Sequence, residues 1–561
     1  MKKFCDIKNR KELADFLAIR RGQLTYILYF KDIDNCYETF DIPKKQGGVR
    51  HIKAPIGNLK FIQKRLSAAL QEYKKEINKH KGIVLNLSHA FEKRKSIITN
   101  AKVHRNKRYV INFDLEDFFD SFHFGRVKGF FEKNKNFELP KNVALTIAQL
   151  TCYQGSLPQG APTSPVITNL ISQILDLRLL QIAQKYKLDY TRYADDLTFS
   201  TNNIRFLDEK EKFYEDLEKE IKKAGFKLNY NKTRLQFKDS KQVVTGLVVN
   251  KKINIDRNFY KKTRAMAFAL YKNGEFFIDG RKGTINQLEG RFSFINSIDK
   301  YNNSVDNNKH NFANLNARER EYKKFLLYKY FFNNNLPLII TEGKTDKLYL
   351  KAALKKFYDK YPGLIRYFND KFDYQISFLN RSKRLEYFFD LRSDGADTLT
   401  KLINNLEGRD NTYSMLMSIS KKKPKNPIIF IFDNELNNDK KPLAKFIKSI
   451  KLSNEEIEEF KNKNYIRLSM IDNSNIFIVA IPIINGAEEC EIEDLFDEKT
   501  LGLKIKGRTL DRKGKGDKNK YYYKNEFAEY VTENYQKINF ERFKQLLDII
   551  DNVITEYRNS N

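Results

Sequence analysis

Cysteine is scarce in this chain: Cys5, Cys36, Cys152 and Cys490 are scattered through 561 residues without a CxxC pair. That spacing excludes a disulfide framework and a zinc module, so a reducing cytoplasm is the expected setting. No stretch approaches the ~18 apolar residues of a membrane span. The opening MKKFCDIKNRKELADFLAIRRG lacks the apolar centre of a signal peptide. A soluble, cytoplasmic protein with no membrane partner is the expectation. Internal repeats are absent, and acidic residues are in deficit. Asp and Glu number 71 against 103 Lys and Arg, a formal net charge of +32. Such an excess suits a polyanion, because Lys and Arg displace the counterions held around phosphates. Apolar residues reach 41%, enough for real cores. At roughly 150 residues per domain, the length implies about three or four domains.

Along the chain, residues 1–315 read as alternating helices and short strands. The stretch YNNSVDNNKHNFANLNAR at 301–318 is Asn-rich and poor in large apolar residues, which predicts a loop and a boundary. A new pattern starts at 336. LPLIITEG reads as a buried strand and turn, TDKLYLKAALKKF has helical spacing, and PIIFIFDNE and IFIVAIPII add two more strands. Strand, helix and strand at these intervals predict a small parallel α/β domain. The basic segment KGRTLDRKGKGDKNK at 506–520 is expected to be an exposed loop.

Chemistry concentrates in four segments. YVINFDLEDFFDSF at 109–122 is an apolar strand ending at Asp114. GSLPQGAPTSPVITNL at 155–170 has Gly155, Pro158, Gly160 and Pro162 fixing a backbone that approaches a nucleotide closely, and then runs into a helix. TRYADDLTFSTN at 191–202 reads as a hairpin with Asp195 and Asp196 at its tip. GFKLNYNKTR at 225–234 carries Lys232. Carboxylates from neighbouring strands meet the need of nucleotidyl transfer for two Mg²⁺ ions about 3.5–4 Å apart, since Mg²⁺ takes hard oxygen ligands.

In this order the segments resemble motifs A, B, C and D of reverse transcriptases, with Tyr193-Ala194-Asp195-Asp196 as the signature tetrad. The resemblance implies that Asp114, Asp195 and Asp196 hold the metals, Asp196 the least directly, and that Lys232 protonates the leaving pyrophosphate. It also implies that Phe119 excludes a ribose 2′-hydroxyl, that Gln159 contacts the incoming dNTP, and that Arg50 lies near its triphosphate. Asn100-Ala101-Lys102-Val103-His104 and Val244-Thr245-Gly246 fit the NAxxH and VTG patterns of retron reverse transcriptases. Over residues 20–300 the chain therefore resembles that family. It implies RNA contacts at Asn100, His104, Thr245 and Gly246, a cognate noncoding RNA, priming from a guanosine 2′-hydroxyl, and branched msDNA as product. With no RNase H cluster after the thumb, template removal would fall to a host RNase H.

Thr341-Glu342-Gly343-Lys344-Thr345-Asp346, Asp433-Asn434-Glu435 and Glu491-Ile492-Glu493-Asp494 put acids at the carboxyl ends of strands, where α/β sheets hold ligands. The arrangement resembles a Toprim domain of the OLD-nuclease type, an architecture known fused to retron reverse transcriptases. Metal ligands would be Glu342, Asp346, Asp433, Glu435 and Glu493, with Lys524 as the charge-stabilising base. Glu435 departs from the usual DxD. The implied fold is a right-hand polymerase, α/β and α+β, followed by a parallel α/β domain. The implied boundaries are fingers and palm at 1–250, thumb at 251–315, linker at 316–335, Toprim at 336–500 and a basic extension at 501–561. The implied role is anti-phage defence by abortive infection, with self-assembly around msDNA allowed. Two alternatives stand: a non-retron bacterial reverse transcriptase, or a nucleic-acid-binding regulator with an inactive polymerase fold.

Overall fold

The computed structural model describes residues 3–31, 33–44, 47–80, 86–306, 310–391, 396–407, 412–450, 452–468, 474–512, 516–517 and 519–560. Two compact units divide the chain, Met1–Arg257 and Asn258–Asn561.

In the N-terminal unit an antiparallel hairpin, β1 (Tyr37–Pro43) and β2 (Val49–Pro55), leads into a helix over Gly57–His80. Leu59, Ile62, Leu66, Leu70 and Tyr73 recur at helical spacing and are all buried. Each such side chain withdrawn from water contributes roughly 1.5–3 kcal/mol. The central sheet joins β3 (Tyr109–Asp114), β4 (Asp189–Tyr193), β5 (Asp196–Thr201) and β6 (Arg234–Phe237) in the order β4-β5-β3-β6, all antiparallel. On the helix Phe206–Lys223, Phe206, Phe213, Leu217 and Ile221 form one buried stripe. Phe213 packs edge-on against Phe199 of β5. Contrary to the expectation that no stretch approaches a membrane span, the helix Ser164–Lys185 is long and apolar enough by composition to cross one, but 67% of its 18-residue apolar window is buried inside the protein, as in a core helix. A short hairpin, β7 (Val243–Val244) and β8 (Leu247–Val248), closes the unit.

The C-terminal unit opens with helices and a small hairpin, β9 (Phe277–Ile278) and β10 (Arg281–Lys282). Then come β11 (Leu338–Thr341), the hairpin β12 (Ile365–Phe368) and β13 (Lys371–Tyr374), β14 (Ser377–Phe378), β15 (Ile428–Phe432), β16 (Tyr465–Arg467) and β17 (Ile476–Ala480). The five-stranded sheet runs β14-β11-β15-β17-β16, with only β16 antiparallel. Alternate residues of a strand face opposite sides. Here Ile339, Ile429, Ile431, Phe477 and Val479 join the core that contains helices Asp346–Lys356, Lys524–Glu533 and Phe543–Asn559. Ile340, Ile428, Phe430, Ile476 and Ile478 join the opposite core, with the helix Ala317–Leu327 and the helices after β14. Burial on both faces explains why these strands read as unbroken apolar runs.

Three further expectations change. Residues 316–335 are no linker: they hold the helix Ala317–Leu327 and a π-helical turn over Tyr328–Phe332, with Tyr322, Phe325, Phe331 and Phe332 buried. Their aromatic content supplies core that an Asn-rich neighbourhood hides. Residues 258–315, read as a thumb apart from the following domain, belong to the same compact unit as it, and the Asn-rich stretch is helical up to Val305. The 506–520 segment is not a plain exposed loop, because Thr509–Leu510 within it form a strand, β18, paired in parallel with β19 (Tyr521–Tyr522) just beyond it. Residues 307–309, 513–515 and 518 lie outside the described residues.

Candidate active site and a second acidic cluster

Antiparallel register builds the first site. Asp114, the last residue of β3, stands directly opposite Asp196, the first of β5. Between β4 and β5 the chain turns through Ala194 in the left-handed region, at φ +58, and the Leu115 amide donates to the Asp195 carbonyl at 3.1 Å. The Lys232 ammonium donates to Asp114 Oδ2 at 2.8 Å, and that bond raises the lysine's pKa. Burial first, then the charges of Asp195 and Asp114, lift Asp196 to about 7. Burial also raises Asp195, partly offset by a backbone hydrogen bond, Lys232 and Arg50.

Around these carboxylates the Gly/Pro segment meets β2. The Lys53 amide donates to the Gln159 carbonyl at 2.7 Å. Gly160 sits at φ +117, and a Cβ there would meet Ile52 Cγ2 at 2.8 Å and the Lys53 carbonyl at 3.1 Å. Only glycine lets the two chains approach this closely. Gln159 and Phe119 are half-buried and Arg50 is exposed on β2. Phe119 meets Phe118 edge-on.

A buried charge pair that the sequence reading missed holds the turn between β4 and β5. Arg192, 0% exposed, donates through Nε and Nη2 to both oxygens of Asp176, at 2.7 and 2.8 Å. Its Nη1 donates to the Ala194 carbonyl at 3.2 Å and to Asn169 Oδ1 at 3.3 Å. The Tyr190 hydroxyl completes the shell on Asp176 at 2.9 Å. The signal was present as a lone Asp inside the apolar run LISQILDLRLL and an Arg just before the tetrad.

The second site is built by strand ends in the C-terminal unit. Glu342 follows β11 and Asp433 follows β15, and the Asp433 amide donates to Glu342 Oε1 at 3.2 Å. Asp346 receives the Gly343 amide at 2.7 Å. A Cβ on Gly343 would lie 2.5 Å from Asp346 Oδ1, so a larger residue there would displace the Asp346 carboxylate. The Ile492 amide donates to Asp433 Oδ1 at 3.3 Å. Lys524 lies 3.1 Å from Glu493 and 3.5 Å from Glu491, while Arg512 pairs with Glu491 and Asp494 at 3.0 and 2.7 Å. Burial, reinforced by neighbouring carboxylates, raises Glu342 and Asp433 strongly; burial also raises Asp346 and Glu493. Glu493 Oε1 is buried without a hydrogen-bond partner. Glu435 is bound by Lys441, close enough to Glu342 to raise it further. The sequence reading missed Arg512 and Arg381, whose Nη2 donates to the Glu342 carbonyl at 2.8 Å. Both come from loops far away in sequence.

Residues 42–254 match the family model described as reverse transcriptase (RNA-dependent DNA polymerase). Among curated proteins, the Retron Ec73 reverse transcriptase of Escherichia coli is 30% identical over 279 residues, covering 47% of this chain and 83% of that one. The chain belongs to the retron reverse transcriptases. The Retron Mx65 reverse transcriptase of Myxococcus xanthus is 36% identical over 279 residues, 46% of this chain and 62% of that one. The Retron Ec86 reverse transcriptase of Escherichia coli is 35% identical over 210 residues, 37% and 62%. The chain thus spans less than two thirds of the length of these last two. A telomerase structure from Candida albicans, with a fragment of telomeric RNA, aligns at TM-score 0.33 and 12% identity over 53% of this chain and 64% of that one.

Within this retron family member the two short motifs lie together. The helix Ile97–Val103, which carries Asn100, packs on β7 and β8. Thr245, at φ +46, and Gly246 form the turn between those strands. Asn100 and His104 were expected at an RNA surface, but both are 0% exposed. Thr191 Oγ1 donates to Asn100 Oδ1 at 2.6 Å, so His104 Nε2 must be the donor in its 2.7 Å contact with Thr191. His104 Nδ1 then accepts from Ser200 at 2.8 Å. Burial drives the pKa of His104 down to about 3, so the ring is neutral. Both residues are braces beneath β4 and β5. Gly246 is exposed and Thr245 half-buried.

Proposed function

We propose that the N-terminal unit is an RNA-directed DNA polymerase that copies a cognate noncoding RNA into branched msDNA, primed from a guanosine 2′-hydroxyl. The observation that carries this reading is the meeting of Asp114, Asp195 and Asp196 beside Lys232. Their donors are hard oxygens, and Asp196 is raised first by burial and then by the charges of Asp195 and Asp114, which Lys232 only partly offsets. Among the described residues no three such side chains already close into a metal cage, yet the donor set fits divalent ions. Asp114, Asp195 and Asp196 would hold Mg²⁺, which supplies charge neutralisation for the attacking hydroxyl and the leaving pyrophosphate. Lys232 keeps its proton through its bond to Asp114 and is the donor to the departing pyrophosphate. Arg50 offers positive charge to the triphosphate, Gln159 orients the incoming nucleotide, and Phe119 blocks a 2′-hydroxyl. Residues 1–250 serve as fingers and palm and the segment after 251 as thumb, with Thr245 and Gly246 at the RNA surface. Labelled dNTP incorporation on a primed RNA, dependent on Mg²⁺, tests this. A purified protein that binds RNA but never extends the primer would leave the regulatory alternative in its place.

The C-terminal unit is, on this reading, a Toprim-type Mg²⁺-dependent nuclease effector of anti-phage defence, restrained by msDNA until infection disturbs it. Glu342, Asp346, Asp433 and Glu493, with the unpartnered Glu493 Oε1, fit a divalent ion. Glu435 stands beside them, and Lys524 offsets charge at the scissile phosphate. Glu342→Gln should abolish growth arrest while msDNA still forms. Continued arrest in that variant would remove the effector role.

A further inference from the structure

The segment after residue 86 runs beside β4, where Ser88 bridges Arg192. Asn169, 4% exposed, ties it down: its Nδ2 donates to the Ala90 carbonyl and to Glu92 Oε1, both at 2.9 Å. Glu92 is bound again by Lys74. Between these two fixed points Phe91 lies at φ +60 with 49% of its surface exposed. A bulky side chain in the left-handed region is an outlier that its surroundings must impose. Here the effect is to display an aromatic face to solvent.

Cations surround that face. Lys93, Arg94 and Lys102 are exposed along adjoining grooves, and Lys79 lies on a third that shares residues with them. The two acids lining the same grooves, Glu92 and Asp176, are engaged by Lys74 and Arg192. An aromatic platform within a positive surface is the combination that holds single-stranded nucleic acid, bases stacking on the ring and phosphates meeting Lys and Arg.

We propose that Phe91, with Lys93, Arg94 and Lys102, is a landing site for a single-stranded stretch of RNA. The choice of RNA rests on the polymerase reading, since before synthesis RNA is the only polynucleotide such an enzyme holds. Asn169 gives the site a second property. The side chain that pins the Phe91 loop also accepts from Arg192, whose guanidinium holds the Ala194 carbonyl of the catalytic turn. Landing site and catalytic turn therefore share one anchor.

The test uses the full chain, without dNTPs, and a labelled unstructured RNA of about a dozen nucleotides beside DNA of the same sequence. Phe91→Gly removes the ring and relieves the left-handed strain. It should weaken RNA binding by roughly 5- to 100-fold while the Tm stays level or rises. Phe91→Trp should restore binding. Lys93→Ala with Arg94→Ala should lower the salt dependence by roughly 0.7 per lost phosphate contact. Phe368→Ala, which removes another exposed ring, should bind like the parent. Unchanged RNA affinity in Phe91→Gly overturns the proposal, as does a loss confined to DNA or one accompanied by a fallen Tm. Because binding is read without synthesis, failure of the polymerase reading is a separate outcome, seen in primer extension alone.

Discussion

In the N-terminal unit three aspartates come from adjacent antiparallel strands and the turn between two of them. In the C-terminal unit the acids come from loops beyond the ends of parallel strands. The first arrangement is set by register, with Asp114 locked opposite Asp196 and the turn fastened from beneath by a wholly buried arginine. The second is set by loop contacts: amides of Gly343, Asp433 and Ile492 each hold a carboxylate of another residue, and half-exposed Lys524 and Arg512 supply the counter-charge. Backbone pairing fixes a site within a short stretch of sequence, whereas strand-end loops assemble one from distant pieces.

The largest expected effect comes from separating the two sites. Asp196→Asn should lower DNA synthesis by roughly a thousandfold, about 4 kcal/mol of charge stabilisation, and leave intact the nuclease activity proposed for the C-terminal unit. Glu342→Gln should do the reverse. A single substitution that silenced both in vitro would end the idea of two independent centres.

Next is the buried arginine. Arg192→Met strands Asp176 in the core and should cost about 3–5 kcal/mol, read as a lower Tm or denaturant midpoint. Arg192→Lys should not rescue it, because a point charge cannot span Asp176 and the Ala194 carbonyl together. Full stability in either variant would contradict the bracing role.

This contrast also explains what was legible in the sequence. The motif around Asp195 and Asp196 is contiguous, so strand, turn and carboxylates could be read together, as could the apolar strands of the parallel sheet. Arg512 could not, since its partners Glu491 and Asp494 lie some twenty residues away across a segment that looks merely basic. Nor did sequence reveal that Asn100 and His104 face inward: a polar motif reads as a surface unless its partners Thr191 and Ser200 are known. The aromatic helix at 317–332 was hidden by its Asn-rich approach.

Acid sensitivity should follow from His104. Its folded pKa of about 3 lies below the unfolded value near 6.5. Between those limits the unfolded chain binds a proton that the folded one refuses, so stability is full above pH 6.5 and falls as pH drops. From pH 6.5 to 5 the loss should be on the order of 2 kcal/mol, and His104→Gln should flatten that slope. A slope unchanged by the variant would assign the acid sensitivity elsewhere. The smallest effect belongs to Arg512, whose side chain is 32% exposed. Arg512→Met should cost only about 1 kcal/mol. A loss as large as that of Arg192→Met would erase the distinction between a buried brace and a half-exposed one.

The most direct measurement is of the nucleic acid the protein makes and keeps. The gene would be expressed with its flanking DNA, the protein purified, and its bound nucleic acid run on a denaturing gel before and after RNase and debranching treatment. The parent would be compared with the Asp195→Asn, Asp196→Asn double variant. A discrete DNA band that carries a branched RNA and disappears in the variant is the predicted result. DNA that persists in the variant, or RNA alone from the parent, would contradict the account.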